Sequence, residues 1–392
     1  MFEPRFSRAA QRLEADDADL WQVHTEAMAR HANGEDVIVM SVGDPDLPTI
    51  DPIIENAVTS LYRGRTHYSP GMGEPALRKK IAEIETEASG KPTTSDEVII
   101  FPGATNAIYS VLSCLLDSDS ELLITEPTYV GYQGIFKTIG CTIVSVPTII
   151  EDGFAIDVDA IMAAATPATR VVLLNTPGNP SGNVIAGDDL ARLAEFTRAR
   201  DIWLVCDEVY SMLTFEKPHV SARRAADNLD NVIIVDGLSK SHSMTGWRLG
   251  WVVAPEHAIP TLLNFTSATV FGCSQFIQDA AAFALENDAE YIAAIRQEYR
   301  KRRDYAVGRI SSINGLQCHL PDAGMFLMLD VSNIAQDGDS FARQLLDEVN
   351  VSVLPGSGFG AQTLHHVRLS LTHDVEVLAS AFDRIETMIS GD

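Results

Sequence analysis

The sequence predicts an α/β chain in two parts. A large domain with a mostly parallel sheet covered by helices spans residues 45–290, and a smaller α+β domain combines residues 1–44 with 291–392. Three observations carry this reading. Between residues 45 and 290 short apolar runs alternate with amphipathic stretches of helical period, as expected for a buried sheet with helices on its faces. Those runs end repeatedly in small or polar residues, and open α/β sheets bind their ligands at the carboxyl ends of strands. After Tyr291 the rhythm changes to a basic helix, residues 296–304, followed by shorter strands at 325–331, 351–354 and 367–371 separated by helices. A chain of 392 residues is also too long for one simple core.

Taken in order, the strand ends offer matching chemistry. The run 98–101 leads into Pro102-Gly-Ala-Thr105 and a helix-like stretch at 106–116, so backbone amides and a helix dipole are available to a phosphate. The run 171–174 closes in Asn175-Thr-Pro-Gly-Asn-Pro-Ser-Gly182, a tight turn that presents Asn179. The run 202–206 ends at Asp207-Glu-Val-Tyr210. A carboxylate there can pair with a pyridine nitrogen and keep it protonated, and Tyr210 can donate to a phenolic oxygen of the same ring. The run 232–235 leads into Gly237-Leu-Ser-Lys-Ser-His-Ser-Met-Thr-Gly-Trp-Arg248. A lysine so placed suits an aldehyde cofactor that carries a phosphate: Lys240 to link to the aldehyde, Ser239 and Arg248 to hold the phosphate. Each segment alone is ordinary turn chemistry, and most lysines in loops are solvated. Together they point to one cofactor.

From Ser41-Val-Gly-Asp-Pro-Asp46 to Val367-Arg-Leu-Ser370 the chain resembles the fold-type I, class I and II pyridoxal-phosphate aminotransferases. The resemblance implies pyridoxal 5'-phosphate on Lys240, Asp207 at the pyridinium nitrogen, and Tyr210 and Asn179 on the phenolic oxygen. It matches Tyr129, in Glu-Pro-Thr-Tyr-Val-Gly-Tyr132, to the aromatic that stacks on the ring, and Ala104 and Thr105 to the phosphate-capping amides. Arg368 matches the arginine that clamps the substrate α-carboxylate, with Gly43 lending a backbone contact. Tyr68, in Thr-His-Tyr-Ser-Pro70, matches a tyrosine that reaches the neighbouring active site, which implies a homodimer. One departure stands at Gly237, where the family often has serine.

The implied reaction is ping-pong transfer of an α-amino group from an L-amino acid to a 2-oxo acid through the pyridoxamine form, with Lys240 moving the Cα proton. Trp21 with His24, the Lys240 run and Gln275 to Ala281 are most similar to members that use arginine and pyruvate. Aspartate or another amino acid is the alternative donor, and C–S β-lyase chemistry uses the same constellation. A dicarboxylic donor needs a distal cation, which one subgroup supplies by a lysine at the position of Thr105 and another by a partner arginine after the cofactor lysine. Here Thr105 is neutral, and no lysine or arginine occurs between Leu249 and Ile295. A basic donor would need a carboxylate instead, for which Asp16, Asp17, Asp19, Asp44 and Glu74 are the candidates.

Other classes fit poorly. A formal charge of −25 opposes binding to nucleic-acid phosphates, and the basic helix at 296–304 reads as a solvated linker. No apolar stretch reaches membrane-spanning length, the first residues lack a signal-peptide pattern, and five cysteines show no CxxC spacing, so a cytoplasmic location with reduced thiols is expected. No histidine has a second ligand at useful spacing, so no metal is expected. Gly356-Ser-Gly-Phe-Gly360 reads as a turn rather than a dinucleotide fingerprint, which argues against a nicotinamide dehydrogenase. A regulator fused to a DNA-binding domain would need a helix-turn-helix domain before Ser41.

Overall fold

A computed structural model describes residues 5–14, 21–287 and 289–391. Near its start, β1 (Ile38–Val39) lies parallel to β11 (Val351–Ser352). Seven strands then form the main sheet: β2 (Val98–Phe101), β3 (Glu121–Glu126), β4 (Thr142–Pro147), β5 (Thr169–Asn175), β6 (Trp203–Asp207), β7 (Val232–Gly237) and β8 (Gly250–Val253). Their spatial order is β2-β8-β7-β6-β5-β3-β4, and only β8 runs against its neighbours. The apolar runs are near-continuous because both faces of this sheet are covered. Val98, Ile100, Leu204, Cys206, Val232 and Ile234 pack on one side. Ile99, Phe101, Val205, Ile233 and Val235 pack on the other, the two-residue alternation of a strand.

A second, antiparallel sheet follows, with β9 (Gln317–Cys318), β10 (Phe326–Asp330), β12 (Leu354–Pro355) and β13 (His366–Ser370) in the order β12-β13-β10-β9. Its core joins Phe326, Leu327, Val367 and Leu369 to Phe341, Phe382 and Tyr299, and takes in Ile38 and Met40 from the N-terminal segment. The single strand expected at 351–354 is two short pieces: β11 pairs with β1, whereas β12 pairs with β13. The turn read at Gly356-Ser-Gly-Phe-Gly360 follows β12 and takes the form of a 3-10 helix, Gly356–Phe359.

The basic stretch lies within one helix, Ala289–Ser312; its reading as solvated holds for the exposed Arg296, Arg300 and Lys301 and is corrected for Arg302 and Arg303. Arg302 and Arg303 are 2% exposed. Arg302 forks onto Asp46 at 2.7 and 2.9 Å, and Arg303 onto Glu216 at 2.7 and 3.0 Å. Buried guanidinium groups persist when such partners satisfy them.

Among the described residues no helix is long and apolar enough to cross a membrane, and no group of three histidine, cysteine or acidic residues is placed to hold a metal ion. The five cysteines form no disulfide.

Candidate active site

The carboxyl ends of β5, β6 and β7 open into a cavity of about 510 Å³. Its wall brings together Gly43, Ala104, Thr105, Tyr129, Asn179, Asp207, Tyr210, Ser239, Lys240, Arg248 and Arg368. Most of these residues converge because strands with C-terminal ends on one side present their following turns together, whereas Gly43 comes from the N-terminal segment and Arg368 from the second sheet.

Lys240 donates from Nζ to the Gly43 carbonyl at 2.8 Å. Burial strips water from its ammonium and draws the amine down to about 8. Asp207 is buried at the end of β6, and burial pushes its carboxyl up to about 6. The Tyr132 hydroxyl donates to its Oδ2 at 2.5 Å, and the Val209 amide to its Oδ1 at 3.3 Å. Among the described residues no lysine or arginine forms an ion pair with this carboxylate. A buried anion in that condition is suited to a cationic ligand nitrogen.

The phosphate end is built from backbone. Helix Ala104–Leu115 begins beside Gly103, whose φ of +94° favours glycine, and no side chain caps this helix start. A Cβ at Gly103 would meet Arg248 Nη2 at 2.7 Å, so the missing side chain leaves room for the guanidinium beside the uncapped amides. Arg248 itself is anchored from Nη1 to the Thr245 carbonyl at 2.9 Å. Positive charge and free N–H groups at a helix start make a cradle for a phosphate. The cradle, the half-buried lysine and the buried carboxylate without an ion-pair partner together fit pyridoxal phosphate.

Arg368, on β13, is 3% exposed. It donates from Nη1 to Asn179 Oδ1 and from Nη2 to the Ser41 carbonyl, each at 2.9 Å. Its guanidinium lies 4.2 Å from the Phe326 ring centre and 4.9 Å from that of Phe359. Burial lowers its pKa to about 10, and two stacked faces fix its plane for a carboxylate. The Phe326 ring explains Gly43: a Cβ there would sit 2.1 Å from the ring. Behind the clamp, the Ser41 hydroxyl lies 2.9 Å from His24 Nδ1 and 2.7 Å from the Ser352 hydroxyl.

Tyr68 stands apart from this cavity. It is 82% exposed and packs edge-on against Phe271 with ring centres 4.9 Å apart. Of the carboxylates considered for a basic donor, Asp44 lines the cavity. Glu74 does not: it is buried and engaged by Arg65 at 2.7 Å and Gln275 at 2.9 Å. Asp16, Asp17 and Asp19 lie outside the described residues.

Several contributors escaped the sequence reading. Tyr132 closes the Glu-Pro-Thr-Tyr-Val-Gly-Tyr motif at the start of helix Tyr132–Ile139, and its ring meets Tyr129 edge-on with centres 5.3 Å apart. Phe326 and Phe359 carried no sequence signal, because their partner Arg368 is reached only through the second sheet.

Comparison with known proteins agrees with this geometry. Residues 35–385 match the family described as aminotransferase class I and II, and the chain belongs to it. It is therefore a transaminase. The chain is 40% identical over 381 residues to the arginine–pyruvate transaminase of Pseudomonas aeruginosa, covering 97% of each chain. It is 32% identical to the aspartate aminotransferase of Bacillus subtilis, over 94% of this chain and 95% of that one. The solved aspartate aminotransferase of Thermus thermophilus with maleate superposes with a TM-score of 0.93 at 30% identity, covering 98% of this chain and all of that one. The fold-type I class read from the sequence is thus established.

Proposed function

We propose that this transaminase uses pyridoxal 5'-phosphate to move the α-amino group of L-arginine to a 2-oxo acid such as pyruvate. The observation that carries this reading is a half-buried Lys240 amine facing one cavity with a carboxylate clamp, Arg368, and a buried Asp207 without an ion-pair partner. The Pseudomonas relative supports the choice of donor and acceptor. Neutral Thr105 in the wall supports it against a dicarboxylic donor.

When bound, the cofactor supplies an aldehyde for amine exchange and a protonated ring that withdraws electrons from the substrate Cα. The chain supplies the rest. Arg368 would hold the α-carboxylate and so orient the bonds at the substrate Cα toward Lys240. Lys240, with its lowered pKa, removes the Cα proton and returns it. Asp207 would pair with the ring nitrogen and keep it protonated, Tyr210 and Asn179 would hold the phenolic oxygen, and Tyr129 would cover the ring. Ala104, Thr105, Ser239 and Arg248 hold the phosphate.

A homodimer completes the reading, with Tyr68 reaching the partner's cofactor. Helix Asp51–Tyr62 leaves Ile54, Val58, Leu61 and Tyr62 exposed at helical spacing, an apolar face that a second copy would cover. The five unpaired thiols support a cytoplasmic location.

The test is the visible spectrum of the purified protein during addition of single amino acids. Bleaching by L-arginine, restored by pyruvate, is expected. Bleaching by aspartate alone would retain the transaminase and replace the donor, and release of ammonia and pyruvate from a cysteine conjugate would favour the β-lyase alternative.

A further inference from the structure

The charges lining the active-site cavity divide unevenly once the cofactor and the α-carboxylate are provided for. Lys240, Arg248 and Arg368 are the basic residues among the described lining, and each already has a ligand group to meet. The acidic ones are Asp207 and Asp44. Asp207 is buried and turned to Tyr132. Asp44 is exposed at the mouth, and Thr245 donates to its Oδ1 at 2.7 Å, which fixes the carboxylate in place. Two residues on, Asp46 is taken by Arg302. Among the described residues no lysine or arginine forms an ion pair with Asp44. Among the described lining residues Asp44 thus has no ion-pair partner; Lys240 lies near enough to feel its charge, but that amine is committed to the cofactor and the Cα proton.

Trp21 shares this wall. Its indole packs edge-on against His24, ring centres 5.6 Å apart, so an aromatic surface accompanies the leftover anion. A flat, weakly hydrated cation is the group that can stack on an indole and fork onto a carboxylate. A compact ammonium gains less from either surface.

We propose that Asp44 and Trp21 form the subsite for the distal guanidinium of the amino donor, and that Asp44 sets the preference for basic over neutral donors. The proposal rests on the transaminase reading above and names the residues behind its choice of donor.

The experiment uses the holoenzyme with two donors that have unbranched side-chain stems, L-arginine and the neutral L-norleucine, and an unreactive probe, 5-guanidinopentanoate, which keeps the carboxylate and the guanidinium but lacks the α-amine. In Asp44→Asn the ratio of kcat/KM for arginine to that for norleucine is expected to fall about 10- to 100-fold, the loss of one charge-assisted contact. Inhibition by 5-guanidinopentanoate should weaken by a similar factor, whereas inhibition by hexanoate should not change. Because the ratio is taken within one variant, any effect of Asp44 on Lys240 cancels. Trp21→Leu should lower the same ratio. An unchanged ratio and unchanged probe inhibition in Asp44→Asn, with arginine still a good donor, would overturn the subsite and leave the donor assignment standing. A wild-type enzyme that prefers norleucine or aspartate to arginine would overturn the donor assignment, and the subsite with it.

Discussion

Arg368 and Asn179 stand 189 positions apart and meet at 2.9 Å, guanidinium Nη1 to amide oxygen. The proposed carboxylate clamp is therefore braced against a residue proposed to touch the cofactor ring. In Arg368→Lys the KM for amino acid and 2-oxo acid should rise together by about 10- to 100-fold, because a point charge cannot reproduce a stacked planar fork whose charged contacts are worth about 1.5–3 kcal/mol. Steady-state kinetics of both half-reactions checks this. An unchanged KM for either substrate would place its carboxylate elsewhere.

Lys240→Ala should lose the visible band of the bound cofactor and slow amino transfer by at least about 10²- to 10⁴-fold, the usual contribution of a positioned proton-transfer group. Absorbance and turnover are measured on one sample. Wild-type turnover in the variant would remove Lys240 from the chemistry.

Tyr132→Phe deletes the hydroxyl that donates to Asp207 at 2.5 Å. A hydrogen bond to a buried carboxylate contributes about 1.5–3 kcal/mol, so cofactor affinity should fall about 10- to 100-fold as Asp207 becomes harder to ionise. Equilibrium titration with pyridoxal phosphate reads the change, and an unaltered affinity would show that Asp207 needs no such support.

Glu85 lies in helix Pro75–Ser89, where burial, reinforced by Glu208 nearby, pushes its carboxyl up to about 7; Arg223 and His219 oppose the shift. The folded state therefore binds a proton that the unfolded chain has released, and this group's contribution to stability declines as pH rises from about 4.5 through 7. Glu85→Gln should raise the Tm at pH 8, by an amount corresponding to at most about 3 kcal/mol, and change it little at pH 4. Thermal melts across that range decide it, and equal shifts at both ends would assign the effect to packing.

Leu61→Asp places a charge on the exposed apolar face of helix Asp51–Tyr62. If a second copy covers that face, sedimentation should show monomer, with activity reduced in parallel because Tyr68 no longer reaches its site. A dimer with full activity would put the interface elsewhere.

Sequence periodicity located the main sheet closely because β2, β5, β6 and β7 are buried on both faces, and apolar runs there leave little choice of boundary. The cavity residues at the ends of those strands were legible for the same reason. What escaped depends on distance across the fold. Within the basic run, Arg302 and Arg303 look as solvated as Arg300 and Lys301 until Asp46 and Glu216 arrive from 256 and 87 positions away. Tyr132 looks like core until Asp207 is brought to it from 75 positions off. Val351–Ser352 and Leu354–Pro355 read as one strand because nothing local reveals that they serve different partners.

The stretch from Val39 to Gly43 is held at nearly every step. Val39 is bonded to His373, Met40 to Ser352 and Ser370, Ser41 to Arg368, and Gly43 to Lys240. Alternate carbonyls of this one ribbon thus grip the carboxylate clamp and the reactive amine, so a change that slid it would misalign both at once. Asp44 is the first residue past the fastening, and its side chain faces the cavity mouth. For anyone redirecting this enzyme toward new donors, position 44 adjoins a fixed ruler: exchanging it gives up the Thr245 contact but leaves in place the carbonyls that space clamp and amine.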